Sequence, residues 1–130
     1  MTLVDSSAWL EFLIGSPLAE KIAPYMDAKL IITPAIVLYE VYKKIRRDHS
    51  EEMAEFVLAQ LERTKVVPLD GRLALKAAHL SLEYFLPMAD AIIYATALSF
   101  QAQVLTCDKH FQGLPGVIYL TKDEPILKEE

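Results

Sequence analysis

A single cysteine, Cys107, rules out an internal disulfide and makes a reducing cytoplasm the expected setting. No run is apolar enough to span lipid. The longest low-charge stretch is interrupted by Asp90, Thr96, Ser99, Gln101 and Gln103, which do not suit a helix of roughly 20 residues in hydrocarbon. The basic start and long apolar run of a secretory leader are missing. So are internal repeats, low-complexity tracts and linkers. The histidines at 49, 79 and 110 have no ligand spacing and the cysteine has no partner, which argues against zinc. Positive charge is also in deficit: 13 Lys and Arg stand against 18 Asp and Glu, a net charge of −5. That balance argues mildly against a nucleic-acid partner. A cluster of carboxylates awaiting cations gives the same figure, so composition leaves both readings open.

What remains is a chain of 130 residues, 53% hydrophobic, enough to bury a sizeable core as one domain, 1–130. Short apolar runs alternate with longer helical patterns. "MTLVD" reads as a strand ending at Asp5, followed by a short helix, "SSAWLEFLIG", that stops near Gly15. Ser16-Pro17 has the pattern of an N-cap with proline at the first helical position. "LIIT" is a second strand. Thr33-Pro34 repeats the cap-plus-proline pattern and starts a helix to about Asp48. Ser50 caps the next helix, "EEMAEFVLAQLER". "KVVPL" is a third strand, with Asp70 capping the helix after it. Pro87 starts a further helix to about Ala102. "QVLTCD" and "GVIYL" are the fourth and fifth strands, and the charged tail "TKDEPILKEE" is expected to fray. The alternation predicts an α/β fold: a central, mostly parallel sheet of about five strands between helical layers.

Asp90 poses the sharpest question. From Tyr84 to Cys107 it is the only formally charged residue, and an isolated buried carboxylate costs several kcal/mol unless compensated. Ligands of open α/β sheets bind beyond the carboxyl ends of strands. Asp5 ends the first strand and Asp108 follows the fourth, so neighbouring strands bring two carboxylates to one rim. Asp90, in the first turn of the helix feeding the fourth strand, joins them if that helix starts at the same rim. Glu40 is the fourth candidate. With Leu38, Val41 and Ile45 on the buried stripe of the 34–48 helix, it falls on the opposite face with Lys43, Lys44 and Arg47. Acids sharing a pocket raise one another's pKa, and a divalent cation resolves the repulsion. All-oxygen ligands select hard ions, Mg2+ or Mn2+.

The stretches "LVDSSAWLEFL", "TPAIVLYEV", "PMADAIIYATAL" and "VLTCDKHF" together resemble the PIN domain, and most closely the VapC-type toxins of prokaryotic toxin–antitoxin pairs. They occur in the family's order and span almost the whole chain. The resemblance implies a three-layer α/β/α fold, Mg2+- or Mn2+-dependent endoribonuclease activity, a homodimer and a cognate VapB-like antitoxin that blocks the site. It places Asp5, Glu40, Asp90 and Asp108 as the catalytic and metal-binding acidic quartet, with Ser6 and Thr106 as supporting hydroxyls. The family's last motif often reads Thr-x-Asp-x-Asp-Phe. Here it is Thr106-Cys107-Asp108-Lys109-His110-Phe111, and the acid that His110 replaces is taken as peripheral.

On this reading Asp5 and Asp90 are the main ligands, Asp108 is a third, and Glu40 holds a second ion or orients the attacking water. In-line attack by water leaves a phosphomonoester end. Lys43, Lys44 and Arg47 grip the RNA phosphates, while Arg46 points elsewhere. Each acid also has a purely structural alternative: Asp5 as a helix cap, Glu40 paired to Lys43 and Lys44, Asp90 on its helix dipole, Asp108 in a turn. All four would have to hold at once. Trp9 and Phe12 are assigned to the core, Cys107 to a small buried apolar position. Tyr39 and Tyr42 are divided between base stacking and packing. Rival functions fare worse. A haloacid-dehalogenase-type phosphatase needs a second acid that "DSS" lacks. A receiver-type signalling domain wants adjacent acids after the first strand. A PIN-like domain that binds RNA or protein without cutting is the remaining alternative.

Overall fold

The computed structural model describes residues 1–122; residues 123–130, most of the charged tail, lie outside the described part. Five parallel strands form one sheet in the order β3-β2-β1-β4-β5. They are β1 (Thr2–Val4), β2 (Ile31–Pro34), β3 (Lys65–Val67), β4 (Gln103–Thr106) and β5 (Val117–Tyr119). The expected "mostly parallel" sheet is therefore parallel throughout. Between the strands run α1 (Ser6–Leu13), α2 (Ala19–Ile22), α3 (Ala35–Asp48), α4 (Glu51–Leu61), α5 (Gly71–Tyr84) and α6 (Met88–Ser99). Among the described residues no helix is long and apolar enough to cross a membrane.

Topology explains the position of the site. From β1 the chain steps outward to β2 and β3, then returns past β1 to build β4 and β5 on the other side. The gap between the carboxyl ends of β1 and β4 is thus the switch point, where an open parallel sheet leaves a crevice. The register pairs Val4 with Leu105, and the Asp5 amide extends the ladder by donating to the Leu105 carbonyl at 3.0 Å. One residue further, Asp5 and Thr106 face each other across the crevice.

The helices follow their caps. Ser50 and Asp70 accept from Met53 N at 3.0 Å and Leu73 N at 2.9 Å and start α4 and α5 as expected. Three boundaries differ. Pro34, not Thr33, stands before α3. Thr33 is a fully buried strand residue whose hydroxyl meets that of Thr64 at 2.6 Å. A side chain committed to a buried hydroxyl pair with Thr64 cannot cap. After Gly15, Ser16 closes a turn on Leu18 rather than capping a helix, so α2 is a short segment beginning at Ala19. Helix α6 stops at Ser99, with Gln101 at a φ of 54°, a left-handed turn that ends it short of Ala102.

Helix α6 is the core element. Every residue from Asp90 to Ala97 is buried, as the uncharged run required. Its Tyr94 ring meets Tyr84 and Phe111 edge-on, at centroid distances of 5.8 and 6.3 Å, and its hydroxyl donates to the Pro115 carbonyl at 2.6 Å. Tyr94→Phe keeps the ring contacts and strands that carbonyl. It is expected to cost about 1–2 kcal/mol in chemical denaturation. An unchanged midpoint would show that water replaces the bond. Trp9 is in the core as expected, and Phe12 packs against it half-buried.

Candidate active site

Asp5 is the best-held acid. It is buried, and it doubles as the N-cap of α1. One carboxylate oxygen accepts from the Ser7 amide and, at 2.8 Å, from the Ser7 hydroxyl; the other accepts a short hydrogen bond from the Thr106 hydroxyl. The same Thr106 oxygen accepts from the Asp108 amide at 2.9 Å, so a single side chain ties the ends of β1 and β4 together. Ser7 closes the net, its oxygen accepting from the Cys107 amide at 2.9 Å. Burial raises the Asp5 pKa, the hydrogen bonds from Thr106 and Ser7 pull it down, and the charge of Asp108 pushes it up again.

Asp90 enters from the first turn of α6, so that helix does start at this rim. Its pKa is pushed up to about 7, by burial first and then by the charge of Asp108, with His110 opposing and Asp5 adding a smaller push. Three acids from three separated stretches therefore sense one another across the crevice. Asp108 caps a single helical turn, Lys109–Phe111, by accepting from His110 N at 2.9 Å.

Glu40 is set further out. It lies half-buried on α3 and accepts from the Ser6 hydroxyl at 2.9 Å. The buried stripe of α3 is Val37, Val41 and Ile45, with Leu38 partly covered. This rotates Glu40 toward α1 instead of placing it on the fully solvated face. Of the basic residues on that helix, Lys44 and Arg47 both reach Asp48, at 3.0 and 2.8 Å, and hold its carboxyl well below the usual range. Arg46 turns to Tyr42 and Glu51. Among the described residues Lys43 pairs with no carboxylate; it lies over the Tyr39 ring, 5.3 Å from its centroid.

Three findings were not anticipated. Ser6, expected beside the first acid, serves Glu40, and it is Ser7 that holds Asp5. Capping geometry carried the signal, because a cap carboxylate accepts from the second or third residue of its helix. Cys107, expected as a buried apolar side chain, is half-exposed, and burial with the nearby Glu11 pushes its thiol up to about 11. His110, taken as peripheral, sits against two acids: its Nδ1 lies 3.0 Å from an oxygen of Asp90 and 3.0 Å from one of Asp108. Motif spacing could not reveal this, since Asp90 comes from another helix.

Among the described residues, Asp90, Asp108 and His110 are the group whose ligand atoms lie within 4.8 Å of one another. Asp5 is next to them, its oxygens taken by hydroxyls. Crowded carboxylates with raised pKa values suit a divalent cation, whose charge lowers the cost of ionising them together. The acids gather at the carboxyl-end rim of β1 and β4. Cavities of about 660, 300 and 360 Å³ are not lined by any of the four acids, and the 300 Å³ one borders the site through Ser7 and Cys107.

Comparison with known proteins agrees with this picture. The sequence model of the PIN domain matches residues 2–117. No curated protein matches by sequence. Among solved structures, a toxin–antitoxin complex from Klebsiella pneumoniae is similar at 25% identity and a TM-score of 0.74, covering 91% of this chain and 96% of that one. VapC20 of Mycobacterium tuberculosis, a sarcin–ricin-loop-cleaving toxin, is similar at 17% identity and a TM-score of 0.74, over 90% of this chain and 97% of that one. A DNA-bound VapBC from Salmonella typhimurium is similar at 16% identity and a TM-score of 0.71, over 93% and 98%. At those two lower identities the likeness speaks for the fold.

Proposed function

This chain belongs to the PIN-domain family, and on that premise we propose that it is a metal-dependent endoribonuclease, the toxin of a VapBC-type pair. The observation that carries the proposal is the convergence of Asp5, Asp90 and Asp108 on the β1–β4 crevice, with Asp90 poised at about 7. Structural caps have no need of such convergence. The Klebsiella relative, solved as a toxin–antitoxin complex, supports the pairing with an antitoxin.

In this reading Asp90 and Asp108 hold Mg2+ or Mn2+, with Asp5 beside them. The bound ion supplies charge for the phosphate and a water of lowered pKa. The protein does the rest by position. Thr106 and Ser7 fix the Asp5 carboxylate in one orientation. Ser6 aims Glu40, which orients the attacking water at the edge of the crevice or takes a second ion. In-line attack leaves a phosphomonoester; a 2′,3′-cyclic phosphate among the products would refute that route. The deciding experiment is cleavage of a mixed RNA pool with Mn2+, Mg2+ or EDTA, alongside Asp5→Asn and Asp90→Asn. Asparagine still caps a helix, so the first variant removes charge without removing the α1 cap. Metal-dependent cutting lost in both supports the nuclease. Cutting that survives both rejects this site.

Lys43, Lys44 and Arg47, which follow Glu40 on α3, grip phosphates on either side of the cut. Reversing Lys43 and Lys44 to glutamate is expected to weaken RNA binding. It should also flatten the slope of log K against log salt by roughly 0.7 for each phosphate no longer neutralised. Binding unchanged at low salt would remove α3 from the substrate path. The homodimer expected from the family has a candidate face in Leu75, Leu82, Phe85 and Met88, four large apolar side chains that are 68–88% exposed along α5 and its junction with α6. Sedimentation as a monomer would exclude that assignment.

A further inference from the structure

Within the Asp90–Asp108–His110 group, the histidine is the member that is not an acid. Its side chain is 57% exposed, so it is not there to fill space. Buried Phe111 and the Asp108 cap pin the turn that carries it. The turn delivers Nδ1 to within 3.0 Å of two carboxylates from different elements.

We propose that His110 supplies a nitrogen ligand to the cation held by Asp90 and Asp108, and that it tilts the site from Mg2+ toward Mn2+ and later first-row ions. The proposal rests on the metal-dependent reading above. Adjacent corners of an octahedron with bonds of about 2.1 Å are about 3.0 Å apart. Both Nδ1–oxygen separations already have that value. The donor chemistry follows: carboxylates suit Mg2+ and Mn2+ alike, whereas an imidazole adds affinity for transition ions and little for Mg2+. An aspartate at 110 would leave the set all-oxygen. The competing arrangement is an imidazole that only bridges the two acids as a hydrogen-bond donor and stays outside the coordination sphere.

The two arrangements differ in what Mn2+ touches. Pulsed electron paramagnetic resonance on the full chain loaded with Mn2+, without RNA, is expected to show coupling to an imidazole nitrogen. The coupling should vanish in His110→Asn. By calorimetry, the preference for Mn2+ over Mg2+ should fall at least about tenfold in that variant, the scale at which even outer-sphere partners act. His110→Asp should keep divalent binding and lose the preference. His110 is exposed, so neither variant threatens the core. Mn2+ bound by the wild type and lost in Asp90→Asn, with no nitrogen coupling and an unaltered metal preference in His110→Asn, would overturn the proposal and leave the carboxylate nuclease standing. No Mn2+ binding by the wild type at millimolar concentration would overturn both.

Discussion

Asp90→Asn is expected to abolish cleavage and, in the same molecule, to stabilise the metal-free protein. The loss should be roughly two to three orders of magnitude, the scale for removing one preorganised charged group from a reacting centre. The gain follows from the electrostatics. Asp90 is buried beside Asp108, with Asp5 near, and its folded pKa of about 7 lies above the ordinary 3.8. Between those values the unfolded chain binds fewer protons than the folded one. Metal-free stability must therefore fall as pH rises from about 4 to about 7, then level off. Asparagine keeps the shape and removes the charge. Above pH 7 it should add about 1–2 kcal/mol once solvent screening at the rim is allowed for. His110 loses one of its two carboxylates and keeps Asp108. Thermal melts in EDTA from pH 4 to 8 check this: the wild type should slope downward more steeply than the variant, which keeps only the share from Asp5, whose pKa burial also raises. Parallel curves would mean that Asp90 carries no strain.

Thr106→Val is expected to cost about 1–3 kcal/mol, because a buried hydroxyl that donates to one acid and accepts from the amide of another cannot be replaced by a methyl group. Thr106 is fully buried, and its bond to Asp5 is the first of the influences that lower the Asp5 pKa. Without it the carboxyl climbs further, and cleavage should need a higher pH. Thr106→Ser restores the hydroxyl and should recover both stability and profile. A valine variant that is less stable but has an unshifted pH profile would confine Thr106 to packing.

Much of this was written in the order of the residues. Alternation of apolar runs with helical patterns suffices for a parallel sheet, because such a sheet needs crossover helices. An uncharged α6 with one acid in its first turn suffices to put Asp90 in the interior at one end of a helix. What could not be read is who holds whom across the crevice. Ser6 and Ser7 are chemically identical neighbours, and only the rotation of α1 about its cap decides that one serves Glu40 and the other Asp5. His110 meets Asp90 through a tertiary contact with no periodicity. The Thr33–Thr64 pair likewise overrode a local capping pattern.

The place of the acids at the carboxyl ends of β1 and β4 has a topological consequence. A nuclease whose reacting groups lie at the bottom of a tunnel must be fed a loose end. A cluster at the carboxyl-end rim of a sheet, with His110 exposed and Asp108 half-buried at its outer side, can be laid against a strand anywhere along its length. A covalently closed RNA circle carrying the target sequence should therefore be opened as readily as its linear counterpart. Discrimination between RNAs then lies in which backbones can bend outward far enough to reach the edge, a property of the folded RNA more than of its termini.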